Sequence, residues 1–162
     1  MTVHVALLGR TPWALVNTYY ASAMRGSRPR AVYVVTERRY SHFLPKIIEA
    51  IKEISKAYGF EPAIETRIIE DDDFQMADRV FRELFSKING EEVVLNITSG
   101  RKALVVAAII QSRNCNLKEI LYMALLDVDF PDRPYMMLPL HMQRLKNFLG
   151  GSDGRRGCDR EA

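Results

Sequence analysis

Two turns in this chain gather the residue types that handle an anion. One reads Asn96-Ile97-Thr98-Ser99-Gly100-Arg101-Lys102: small residues, hydroxyls, a glycine and two adjacent cations where a helix begins. The positive end of a helix dipole disfavours cations, which normally sit at the other terminus. Arg101 and Lys102 therefore break a local rule unless an anion lies between them and the free amides. The plainer alternative is two solvated charges on a surface turn. The other turn reads Gly9-Arg10-Thr11-Pro12-Trp13. Gly9 admits close approach to the backbone, and the helix start behind it offers free N–H groups. Arg10 supplies a planar cation, Thr11 a hydroxyl, and Trp13 a face on which a base can stack. The plain reading here is that Thr-Pro caps a helix anywhere and Trp13 joins the core.

Other chemistries find less support. There is no GxxxxGK[ST] and no GxGxxG after the first strand, which argues against a P-loop nucleotide hydrolase and against a dinucleotide cofactor. His4, His42 and His141 lack the spacing of a shared metal site, and Cys115 and Cys158 have no partner at ligand spacing, so neither a metal nor a cofactor is expected. His4 alternates within a strand and reads as a packed core residue. Asp71, Asp72 and Asp73 form an acidic run best explained as partners of a helix dipole. Asp127, Asp129 and Asp132 follow the fifth strand and either orient a ligand hydroxyl or form a wet loop.

The elements that must position these turns alternate regularly. Strands are expected at residues 3–9, 31–36, 63–69, 92–97 and 119–126, and helices at 11–25, 41–58, 73–88 and 100–112. A short sixth strand is expected at 134–138 and a last short helix at 141–149. Thr11 and Asp73 read as N-caps, Pro12 as a first helical residue and Gly59 as a C-terminal stop. Such alternation predicts an α/β fold: a Rossmann-like, open, mainly parallel sheet of five to six strands with helices on both faces. Right-handed crossovers then place the carboxyl ends of the strands, and both turns, on one edge. Thr36 ends the second strand on that edge. Residues 1–149 are expected to form a single domain and residues 150–162, rich in Gly and charge, a disordered tail. The stretch ALVVAAII (103–110) is apolar on every side. It is either covered by the chain's own C-terminal segment or, as we expect, placed at the two-fold axis of a homodimer.

Composition sets outer bounds. The chain has 162 residues, 48% apolar and 27% charged, with a net charge of +3. That balance excludes wholesale disorder and a histone-like coat on nucleic acid. Residues 1–40 hold six basic side chains and one acidic, which favours an anionic ligand over an anionic polymer. No apolar run approaches the ~20 residues of a membrane span, no secretory signal opens the chain, and few cysteines fit a reducing compartment, so a cytoplasmic protein is expected. A DNA-binding role ranks lowest, since no helix-turn-helix or basic recognition helix is evident.

The hydroxyl residue before Pro in the first turn, and the NITSGRK of the second, resemble the two signature turns of the CRISPR-associated Rossmann-fold (CARF) domains. The resemblance covers about residues 1–140. It implies a homodimer that binds a cyclic oligoadenylate across its two-fold axis, most naturally cyclic tetra-adenylate. Most members carry a further nuclease or winged-helix domain; none is expected here, so the chain is similar to the stand-alone ring nucleases. These switch off type III CRISPR antiviral signalling by cleaving the messenger without a metal. Thr11 and Lys102 then stand at the positions implied as catalytic. Gly9, Arg10, Pro12, Trp13, Thr36, Asn96, Thr98, Ser99, Gly100 and Arg101 surround the ligand. Thr11 stands where several members have Ser, and Ser99 where a second Gly is common. The reaction expected is attack of a ribose 2′-hydroxyl on its own 3′-phosphate, leaving a 2′,3′-cyclic phosphate, driven by orientation and cationic stabilisation. A non-catalytic sensor acting through a partner, and a generic nucleotide or phosphosugar enzyme, are the competing readings.

Overall fold

A computed structural model of the chain describes residues 1–126 and 133–150. Its centre is β1 (Thr2–Leu8), apolar at nearly every position and buried from Val3 to Leu8, as befits a parallel strand covered on both faces. The other strands are β2 (Ala31–Glu37), β3 (Ala63–Ile69), β4 (Glu92–Asn96), β5 (Asn116–Leu125) and β6 (Gln143–Asn147). They form one six-stranded sheet in the order β3-β2-β1-β4-β5-β6. The first five run parallel, and β6 is antiparallel to β5. This is the α/β, Rossmann-like, mainly parallel sheet expected.

Four helices cover the sheet: α1 (Pro12–Met24), α2 (Leu44–Ala57), α3 (Phe74–Lys87) and α4 (Lys102–Gln111). Val3, Val5 and Leu7 face a core shared with α3 and α4, among Phe81, Leu84, Phe85, Leu104 and Ala108. Ala6 and Leu8 face the opposite way, against Leu15, Val16 and Tyr19 of α1 and Ile47 and Ile51 of α2. The chain therefore builds outward from β1 through β2 to β3, then returns to the other side of β1 with β4. The carboxyl ends of β1 and β4 are the point where the winding reverses, and ligands of such sheets bind in that crevice. Both candidate turns leave from there.

Local signals explain the helix boundaries. Asp73 caps α3, its Oδ1 accepting from the Met76 N–H at 2.8 Å. A 3₁₀ turn over Arg38–Phe43 precedes α2, which becomes α-helical only near Pro45, a residue suited to the first helical turn. Helix α4 starts at Lys102, two residues later than the spacing predicts. Its outer face stays open among the described residues, with Val106, Ile109 and Ile110 exposed by 55%, 38% and 45%. No described C-terminal segment covers it.

The C-terminal part departs from expectation. Residues 134–138 are not a strand: Tyr135–Met137 form a single 3₁₀ turn. Residues 141–149 are not a helix: Gln143–Asn147 form β6, paired from Leu121↔Asn147 to Leu125↔Gln143. The sequence QRLKN has one apolar residue, Leu145, and its strand form depends on β5 as a partner. Asn147 locks the register, its Oδ1 accepting from the Ile120 and Leu149 amides at 3.1 Å each. β5 correspondingly begins at Asn116, earlier than expected. Asp127, Asp129, Asp132, Cys158 and the tail from 151 onward lie outside the described residues. No described helix is long and apolar enough to cross a membrane.

His4 is the fully buried histidine that strand alternation predicts. Neither ring nitrogen has a hydrogen-bond partner, and its ring meets Tyr19 edge-on at 5.1 Å. Burial pushes its pKa from 6.5 down to about 3. The folded state thus prefers the neutral ring more strongly than the unfolded chain does, so the stability this site contributes is present above pH 6.5 and lost as pH falls toward 3. The slope should reach about 1.4 kcal/mol per pH unit for one such group. Replacing His4→Leu should remove that component: the stability difference between the two proteins, followed by urea unfolding, should change only below about pH 6.5. A constant difference from pH 7 to pH 4 would refute it.

Candidate functional site

The two turns are sewn together. The Gly9 N–H donates to Ser99 Oγ at 3.0 Å, and that hydroxyl donates onward to the Thr11 carbonyl at 2.8 Å. The backbones touch: a Cβ added at Gly9 would lie 2.1 Å from the Ser99 carbonyl oxygen. Gly9 is therefore required by the neighbouring turn itself. Gly100 is required by packing too, since a Cβ there would meet Leu7 Cβ at 2.8 Å and Val105 Cγ2 at 2.9 Å. Neither glycine needs a ligand to account for it.

A second layer of bonds ties the β4 turn to α1. Asn96 is fully buried; its Nδ2 donates to the Leu15 carbonyl at 3.2 Å and its Oδ1 accepts from the Thr98 N–H at 3.2 Å. Thr18 donates to the Ala14 carbonyl at 2.8 Å, so its contact with Thr98 Oγ1 at 2.8 Å has Thr98 as donor. Thr98 Oγ1 in turn accepts from the Met123 N–H at 3.1 Å. The Thr98 proton is thus committed internally. Thr36 is also fully buried, donating to the Leu8 carbonyl at 3.1 Å. In this geometry Asn96, Thr98 and Thr36 hold the turns in place, with their side-chain polar atoms bonded within the chain.

Arg101 and Lys102 part company. Arg101 Nη1 donates to both oxygens of Glu37, at 2.9 and 3.0 Å, and to Asp72 Oδ1 at 2.9 Å. Glu37 is 4% exposed and also accepts the Asp72 N–H at 3.1 Å. Asp72 adopts a left-handed backbone with φ of 60°. Its carboxyl is held below the usual range by Arg101 first and by Arg39 second. The anion demanded by a cation at this helix start is therefore supplied, for Arg101, by two carboxylates of the same chain. Its Nε and Nη2 make no bond among the described residues and remain at a surface 36% exposed. Lys102 has no such partner: it is exposed and forms no ion pair among the described residues.

The first turn carries the other unspent groups. Thr11 occupies the N-cap position of α1, yet its hydroxyl caps nothing. Arg10 is exposed and unpaired among the described residues. Pro12 and Trp13 line a hollow of about 330 Å³ between α1 and α2 with Phe43 and Ile47. Trp13 is half-buried against that core, the plain reading of its position. Half of the basic side chains of residues 1–40 are answered within the chain as well: Arg30 pairs with Glu91, Arg38 with Glu70, and Arg39 with Asp71 and Asp72. Sequence reasoning missed Glu37 and Thr18. Each had a signal, an acid ending an apolar strand and a hydroxyl one turn inside a helix.

The paired turns thus offer Arg10, the Thr11 hydroxyl and one edge of Arg101, and Lys102 begins α4 beside them, lining a groove along the outer face of that helix. No group of three His, Cys, Asp or Glu residues suited to a metal occurs among the described residues. The rigidity is testable. Gly9→Ala should cost about 3 kcal/mol or more by overpacking against the Ser99 carbonyl, measured as a lowered urea midpoint at unchanged m. Wild-type stability in that variant would mean that the turns do not meet as described.

Comparison with known proteins supports the fold. The chain is similar in structure to Can2 from Sulfobacillus thermosulfidooxidans, determined in complex with cyclic tetra-adenylate, with a TM-score of 0.57 and 18% sequence identity. The likeness covers 80% of this chain and 33% of that one, so the chain spans about a third of its neighbour's length. No protein-family model matches the sequence, and no curated protein matches it. At this identity the likeness shows a common fold.

Proposed function

We propose that the chain is a CARF-type domain over residues 1–149 that binds cyclic tetra-adenylate as a cytoplasmic homodimer and opens the ring. One observation carries the reading: the fold neighbour was determined with cyclic tetra-adenylate bound, and this chain carries unpaired cations and a hydroxyl on the turns that leave β1 and β4 of a similar fold. The NITSGRK turn supports it independently.

The dimer follows from α4. Its outer face, with Phe74 and Ala103, walls an apolar groove of about 530 Å³ that also contains Lys102. Covering Val106 and Ile110 with the same face of a second copy removes exposed apolar surface, which is favourable by about 25 cal/mol per Å². It also brings two copies of Lys102 to the junction, facing one ligand.

In the proposed reaction the ring is held so that a ribose 2′-oxygen lies in line with the adjacent phosphorus and the departing 5′-oxygen. The 2′-oxygen bonds to phosphorus, the bond to the 5′-oxygen breaks, and the 2′-hydroxyl proton ends on that oxygen. The product is linear, with a 2′,3′-cyclic phosphate and a free 5′-hydroxyl. Orientation supplies most of the acceleration. Lys102 and the free edge of Arg101 stabilise the added charge on phosphorus, and Thr11 donates to a phosphate oxygen. Among the described residues the neighbouring carboxylates, Glu37 and Asp72, are committed to arginine and offer no strong base, so slow turnover is expected.

Radiolabelled cyclic tetra-adenylate incubated with the protein, without added metal, should yield the linear cyclic-phosphate product. Bound but intact ring would establish a sensor instead, and absence of binding would end both readings. Lys102→Ala should slow cleavage ~100-fold or more and weaken binding. Val106→Glu with Ile110→Glu should give a folded monomer by sedimentation that no longer retains the ring.

A further inference from the structure

We propose a second anion site at the opposite, amino edge of the sheet, built to take the phosphate of a small phosphomonoester of sugar-phosphate or mononucleotide size. A cavity of about 340 Å³ lies there between the end of α1 and the strands β4, β5 and β6. That volume falls within the range of about 300–1,000 Å³ common to small-molecule sites. It is distinct from the crevice described above, which opens at the carboxyl ends of β1 and β4.

Three independent features point to an anion. First, the charges do not cancel. The lining holds Arg25, Arg28 and Lys118 against one acid, Glu119. Arg10, Arg25 and Arg28 are the members of the basic N-terminal third that form no ion pair among the described residues, and two of the three line this cavity. Lys118 is partly compensated by Glu92 at 3.1 Å.

Second, the lining contains a polar atom with nothing to bond. Ser22 is 4% exposed and its Oγ has no hydrogen-bond partner. A buried hydroxyl left unpaired costs free energy, of the order of 1–3 kcal/mol, unless something fills the space beside it. Ser22 lines the cavity, so a small turn of its hydroxyl toward a phosphate oxygen there would satisfy it.

Third, Arg28 is already oriented. Its Nη1 donates to the Ala23 carbonyl at 2.6 Å and the Ser27 carbonyl at 2.8 Å, and its guanidinium lies over the rings of Tyr58 and Phe60, at 5.3 and 5.1 Å. This quenches carbonyls at the end of α1 that would repel an anion. Nε and Nη2 make no hydrogen bond among the described residues, where the fork is held by one nitrogen. Val94, Leu121 and Leu145 make an apolar floor, which suits a phosphate carried on a small organic body.

The test uses ribose 5-phosphate and inorganic phosphate as probes, titrated into the full chain by calorimetry, with backbone amide shifts read in parallel. Ribose 5-phosphate carries no adenine, so the crevice reading makes no claim on it. Saturable binding is expected, tighter for the sugar phosphate than for inorganic phosphate, with shifts at Ser22–Ser27 and Lys118–Leu121. Arg25→Glu, an exposed position, should weaken it tenfold or more while leaving the handling of cyclic tetra-adenylate unchanged. Ser22→Ala should weaken it severalfold while leaving the unliganded melting temperature unchanged or raised, because a merely structural hydroxyl would lower it. Absence of saturation, affinity indifferent to both substitutions, or shifts confined to residues 9–13 and 98–102 would overturn the proposal.

Discussion

The contact between Gly9 and the Ser99 carbonyl sets the geometry of everything functional in this fold. β1 and β4 are neighbours whose chains leave in opposite directions, α1 to one face of the sheet and α4 to the other. Adjacent strand ends that diverge this way normally open a crevice. Here the two turns instead meet backbone to backbone at the base of the crevice, and Ser99 Oγ bridges them by accepting from Gly9 and donating to Thr11. Asn96 and Thr98 add bonds to Leu15 and Thr18 one turn further along α1. A site built on such a base is held by main chain and short side chains, which have little rotamer freedom to lose on binding. The long side chains, Arg10 and Lys102, are left as adjustable parts.

Electrostatics at the crevice follow from that base. Arg101 begins α4 against the helix dipole, and its charge is answered by Glu37 from the end of β2 and Asp72 from the loop before α3. The arrangement stores strain. A non-glycine residue at left-handed φ costs about 1–2 kcal/mol, and Asp72 is kept there by its N–H bond to Glu37 and its carboxylate bonds to Arg101 and Arg39. Three loops are thereby tied at one guanidinium. Adjacent cations that look equivalent in sequence end in different states: Arg101 is half-spent, Lys102 unspent.

The parts legible in the sequence are those decided locally. β1, β2 and β4 are continuous apolar runs, α2 and α3 carry clear 3.6-residue stripes, and Asp73 caps α3 as its type predicts. The parts that were not legible are decided by residues far away in sequence. QRLKN has no strand signature, and becomes β6 because β5 offers it a ladder. The partner of Arg101 lies 64 residues earlier, so a rule-breaking cation looked like a vacancy for a ligand. Hydroxyls and amides at a strand end can serve a ligand or the fold, and the bonds of Asn96, Thr98 and Thr36 to Leu15, Thr18 and Leu8 became visible only in the folded chain. His4 shows the opposite case, where alternation within a buried strand was enough.

Closing the sheet with an antiparallel β6, in place of another helix-linked parallel strand, has a structural consequence on each face. A further crossover would have laid a helix over β5 and beside α4. Without it, α1 and the 3₁₀ turn at Tyr135 cover β4 and β5 on one side, and the hollow at the end of α1 is open. On the other side α4 is the last helix among the described residues, and its outer residues Val106, Ile109 and Ile110 stay partly exposed. Leu104 and Ala108 already satisfy the requirement of the core. Apolar side chains on the opposite face therefore add nothing to the stability of a single copy, and leaving them exposed invites association. A surface helix that is apolar all round is explained when a second surface completes it, and the groove holding Lys102 runs along that same face. On the proposed reading, assembly and chemistry would share one helix: it begins at Lys102 beside the β4 turn, and its outer face stays exposed among the described residues.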